Sequence, residues 1–283
     1  MGLLPAPASH ALTSLTGGRR RSGSAGILGD GPVDESAIGP GPLLRRWLGA
    51  GAVVAVVLAV APPTVVLAGR YALWGALELT LLAFVAPPLL VLAAPWSWRG
   101  PRQPRPGGTL VERAAFARLR HRGQLRAVAC VLPCAVAVVG WRVPAAVDAL
   151  VRHRWLVAVE AVTLLATGVV AWLELVGSAP LQPRSPRARR VILAALPMWA
   201  CWIMSFVLGF SRVQWFAAYH YHAGHGLSVI ADQQLTAGVL WLVPFFVCIP
   251  YELANILRWL RGGEDPDMEL RALVRGEGGR HRP

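Results

Sequence analysis

Six apolar runs alternate with polar connections along the chain, at about 47–68, 71–95, 125–143, 154–176, 191–210 and 229–257. At about 1.5 Å per residue, about 20 residues cross a hydrocarbon layer of about 30 Å, so each run is long enough to span it. The pattern predicts an all-α, polytopic membrane bundle of six transmembrane helices. The third run is the weakest because Pro133 interrupts it, although neighbouring helices can satisfy the backbone groups that a membrane proline frees. In the second run, Pro87 and Pro88 remove two amide hydrogens and add steric clash, which predicts a bend or unwinding near mid-helix. A bend that serves packing is favoured over a moving hinge.

The runs divide the chain into three parts. Residues 1–46, rich in Gly, Pro, Ser and Ala, read as a disordered arm; 47–260 form the transmembrane domain; 261–283 form a tail in which "EDPDMELRALVR" predicts a surface helix. The second connection, with "RGPRQPRPGG", reads as flexible and ends in a short basic helix near 109–122. The arm has no apolar run of the kind a secretory signal requires, so its triple arginine is not a twin-arginine signal.

Composition sharpens the picture. Of 283 residues, 55% are hydrophobic and 15% charged, and mean hydropathy is +0.48, too apolar for the surface of a soluble domain. All 28 basic residues are arginine, set against 15 acidic residues for a net charge of +13. These arginines are scattered between apolar runs rather than gathered with aromatics, which argues against nucleic-acid binding. They also alternate. The arm, the second and fourth connections and the tail are arginine-rich, whereas the first connection has only Arg70, the third Arg142, Arg152 and Arg154, and the fifth only Arg212. By the positive-inside rule both termini are cytoplasmic, which puts the first, third and fifth connections outside.

That topology assigns a depth to each polar residue. Glu78 falls in the outer third of the second helix, Arg142 at the outer end of the third, Asp148 in the connection after it, Glu160 one or two turns into the fourth, and Asp232, Gln233 and Gln234 at the outer start of the sixth. A charge within the bilayer faces the bundle interior and a partner. Glu78 and Glu160 are the partners expected for Arg142, and the seven residues form one expected polar cluster in an outer cavity. A structural ion pair and a functional site remain equal readings of it.

Metal chemistry has two candidates. His220, His222 and His225 lie within six residues of a glycine-containing connection, a spacing that lets three imidazoles converge on a transition metal; an interfacial belt with Trp215, Tyr219 and Tyr221 is the blander reading. Cys130 and Cys134 share a helix face and suit a soft metal such as Cu(I), but without a third ligand packing is favoured. There is no Ser-His-Asp set, no HExxH and no phosphate-cradling glycine loop opening a helix, so catalysis is not expected.

Four ordered stretches carry a family resemblance: "FVAPPLLVLAAP" at 84–95, "GWRVPAAVDALVRH" at 140–153, "VEAVTLLATGVVAW" at 159–172 and "ADQQLTAGVLWLVP" at 231–244, with "LPMW" at 196–199 as a looser fifth. Over about residues 45–260 the chain resembles the CtaG-type cytochrome c oxidase assembly factors, bacterial membrane proteins associated with copper supply to the oxidase. The resemblance implies an assembly role at the outer face of a bacterial plasma (inner) membrane, with the respiratory oxidase as partner and copper as the metal. The departures are specific. The family's two histidines before the proline pair correspond to Gly75 and Leu79, the "W-H-x-P" histidine to Arg142, and the one after the helix-four glutamate to Ala161. The family's usual first helix is also missing, in keeping with six spans. The chain therefore reads as a divergent member lacking the usual bundle histidines. Alternatives are a transporter or proton or metal channel using Glu78 and Glu160, and an interaction scaffold that has lost the metal chemistry.

Overall fold

The computed structural model describes residues 41–96, 124–176, 178, 186–222 and 226–261. Most of the expected arm, the basic helix near 109–122, the tail after 261 and His225 lie outside the described residues.

Among the described residues, eight α-helices form the bundle. They are α1 (Pro42–Val60), α2 (Pro62–Ala68), α3 (Ala72–Ala93), α4 (Gln124–Gly140), α5 (Pro144–Arg152), α6 (Trp155–Leu175), α7 (Arg187–Phe210) and α8 (Val229–Arg261). A 3-10 turn at Ala217–His222 lies between α7 and α8. Among the described residues, five helices (α1, α3, α6, α7 and α8) are long and apolar enough to cross a membrane. A sixth span follows if α4 and α5, bent by 71° at Trp141–Val143, count together. The third run thus remains the weakest, and the connection after it is itself helical.

Burial shows which faces meet. On α1 the buried positions are Ala52, Ala55 and Ala59, small residues three and four apart that let its backbone approach α3 closely. On α7 an opposite stripe of Ile192, Leu196, Trp199, Ile203, Phe206 and Phe210 is exposed at helical spacing. Such a stripe is too large for a soluble surface and suits acyl chains. α8 packs along α7, where the Ser205 hydroxyl donates to the Ala237 carbonyl at 2.6 Å. Its 33 residues give a length of about 50 Å, more than the hydrocarbon layer needs.

The proline pair acts differently from the expectation of a simple kink. The turn just before it, Leu81–Val85, widens into a π-helix, with the Ala86 amide donating to Leu81 five residues back, and the helix then resumes through Ala93. Pro87 and Pro88 have no amide to donate, and the widened turn re-registers the ladder around them. α6 comes very close here: a Cβ on Gly168 would stand 2.7 Å from Pro87 Cγ and 3.0 Å from the Ala83 carbonyl oxygen. Glycine is required at that contact.

Candidate functional site

The turn after α4 places the central side chain. Pro144 opens α5 with the ring-fixed φ suited to a first helical residue, and Val143 before it is extended. The two preceding side chains therefore point onto α6. Trp141 Nε1 donates to Thr163 Oγ1 at 2.9 Å, and Arg142 Nη2 donates to Glu160 Oε1 at 2.7 Å; Glu160 and Thr163 share a face of α6 at a spacing of three. Arg142 Nη2 also donates to the Gly75 carbonyl of α3 at 2.8 Å. Gly75 makes room for this contact, since a Cβ there would lie 2.9 Å from Arg142 Nη1.

Arg142 and Glu160 are 3% and 2% exposed, so this is a fully buried ion pair. It lines a cavity of about 280 Å³ together with Gly75, Glu78 and Tyr219, at the end of the bundle where the α2–α3, α4–α6 and α7–α8 connections meet. Glu78 is also buried, one helical turn beyond Gly75, but it makes no ion pair with Arg142: its Oε1 has no hydrogen-bond partner among the described residues. The Tyr219 hydroxyl donates to the Ala68 carbonyl at 3.0 Å, and burial pushes the phenol up, keeping it a neutral donor.

Four residues of the expected cluster do not line the cavity, because backbone amides and carbonyls take up three of them. Asp232 accepts from the Ala72 and Leu73 amides at 2.6 and 3.1 Å, placing a carboxylate at the N-terminus of α3. Asp148 accepts from the Ala218 amide at 2.9 Å and holds the 3-10 turn against α5. Gln233 donates to the Leu208 carbonyl at 3.0 Å and accepts from the Trp215 amide at 3.0 Å, closing the connection between α7 and α8. Gln234, one residue on, faces outward and is exposed. The sequence reading missed the roles of Gly75 and Tyr219. A glycine one turn before an intramembrane glutamate was the available signal for the first.

The residues around the cavity do not suit a soft metal. A guanidinium, that of Arg142, lines it, and Gly75, Leu79 and Ala161 offer no donor side chain. Among the described residues no three His, Cys, Asp or Glu side chains stand together as a metal site. Cys134 is buried and Cys130 half-buried, both as free thiols. The side chains of His220 and His222, like all of His225 in the expected histidine site, lie outside the described residues.

A model of the cytochrome c oxidase caa3 assembly factor family matches residues 35–262. No curated protein and no solved structure matches the chain. With the family model covering most of its length and every described span, the chain belongs to the cytochrome c oxidase caa3 assembly factor family.

Proposed function

We propose that this protein supports maturation of the respiratory cytochrome c oxidase from the outer face of a bacterial plasma membrane, without holding copper among its helices. The reading rests on one observation. The guanidinium of Arg142, bonded to Glu160 and to the Gly75 carbonyl, lines the cavity. The resemblance puts histidines at both Gly75 and Arg142, and these two positions touch. An arginine cannot ligate a cation, so the positive charge that a metal would bring is supplied here by the chain itself. Copper delivered to the oxidase would be cargo met at the histidine-bearing connection or by a partner.

The arginine pattern supports the orientation, since it puts the cavity end outside. Maturation then proceeds through contact with the oxidase or its subunits, and the buried pair keeps the outer half of the bundle in one arrangement. A deletion strain tests this. Loss of oxidase activity that added copper does not restore, but the unmodified chain does, supports a docking role. Full rescue by copper alone would point to copper supply. Proton or copper flux in proteoliposomes that Glu160→Gln abolishes would point to a channel.

A further inference from the structure

Floor and rim of the cavity carry opposite chemistry. On the floor, Glu78 is 2% exposed with Oε1 unpartnered among the described residues, and the cation beside it, Arg142, commits Nη2 to Glu160 and Gly75 while its Nε, also buried, does not reach Glu78. On the rim stand Arg70 and Arg154, both exposed, both lining the cavity and both outside the ion pairs that the described residues form. Val147, Val151 and Val157 add apolar surface to the same cavity. A buried acceptor without a donor is costly, and it calls for a ligand that brings an N–H or O–H group to the floor.

A simple anion would suit the rim but face Glu78 with its own charge. A simple cation would suit Glu78 but must pass two arginines. One arrangement satisfies both: a protonated amine at the inner end, an anionic group at the outer end, and a short methylene linker against the valines. We propose that the cavity binds a small primary-amine zwitterion of the phosphoethanolamine type, its ammonium donating to Glu78 and its phosphate held by Arg70 and Arg154. A volume of about 280 Å³ suits a headgroup-sized ligand rather than a larger cofactor. The same chemistry occurs free and as a lipid headgroup, and a membrane protein meets both. The inference goes beyond the assembly role and does not depend on it, because binding is read on the purified chain and oxidase activity in the strain.

The test uses the full chain in detergent with O-phosphoethanolamine, phosphocholine and ethyl phosphate. Phosphocholine keeps the charge but has no N–H; ethyl phosphate lacks the amine altogether. Phosphoethanolamine binds about tenfold tighter than either, as expected for loss of one charge-assisted hydrogen bond. Glu78→Gln abolishes that preference, and Arg70→Ala with Arg154→Ala weakens both phosphates. In a second arm, the chain from vesicles of mixed phosphatidylethanolamine and phosphatidylcholine is examined by native mass spectrometry. Selective retention of phosphatidylethanolamine identifies the lipid headgroup; tight binding of the free compound without retention identifies the free zwitterion. Equal affinity for all three compounds on the unmodified chain, or a preference unchanged in Glu78→Gln, overturns the proposal and leaves the cavity to solvent.

Discussion

Arg142 and Glu160 meet at 2.7 Å in the interior of the bundle, eighteen residues apart in sequence, the first in the α4–α5 turn and the second on α6. The same guanidinium nitrogen reaches the Gly75 carbonyl, so one side chain ties α3, the α4–α5 turn and α6 together. Neither charge is stable alone at that depth. Their value to the fold is therefore clearest when one is removed and the other is left behind.

Arg142→Ala should cost about 3–5 kcal/mol, because it leaves Glu160 buried and unpaired. Replacing both, with Arg142→Met and Glu160→Leu, should recover most of that loss. Thermal unfolding in detergent, followed by size-exclusion chromatography, gives the comparison. A double variant no more stable than Arg142→Ala would show that the pair is not the coupled unit.

Two glycines should respond differently to alanine. At Gly168 the new Cβ meets the Pro87 ring at 2.7 Å and a backbone oxygen at 3.0 Å, neither of which can swing away. A loss of about 1–3 kcal/mol is expected there. At Gly75 the nearest atom is Arg142 Nη1 at 2.9 Å, the end of a flexible side chain. Gly75→Ala should be milder and should act by displacing Arg142, so it should have almost no further effect in the Arg142→Met, Glu160→Leu background. The same unfolding assay reads both.

Asp232 receives two amides at the start of α3, so Asp232→Ala should cost about 1–2 kcal/mol, as for loss of a good helix cap. Asp232→Asn keeps an acceptor and should fall between. Hydrogen exchange at Ala72 and Leu73 should rise in both variants, more in the alanine one.

The six apolar runs were legible because hydropathy over about 20 residues reports depth directly. The meeting of Arg142 with Glu160 was legible too, since two costly charges at matched depth have little choice of partner. Rotation about each helix axis was not. Asp148, Asp232 and Gln233 share the cavity's end of the bundle with Glu78, yet each turns to backbone groups of a neighbouring segment, and Gln234 turns outward. A depth assignment cannot separate these cases. The proline pair announced a disturbance in α3, but whether the ladder kinks or widens depends on what packs beside it, here Gly168. α5 escaped notice because nine residues with a polar end read as a connection.

Copper stoichiometry tests the central claim most directly. The chain is purified with His220, His222 and His225 changed to alanine, incubated with Cu(I), desalted and assayed for bound metal. The account predicts well under one equivalent, because the cavity's buried positive charge is Arg142 itself. One tightly held equivalent would contradict it.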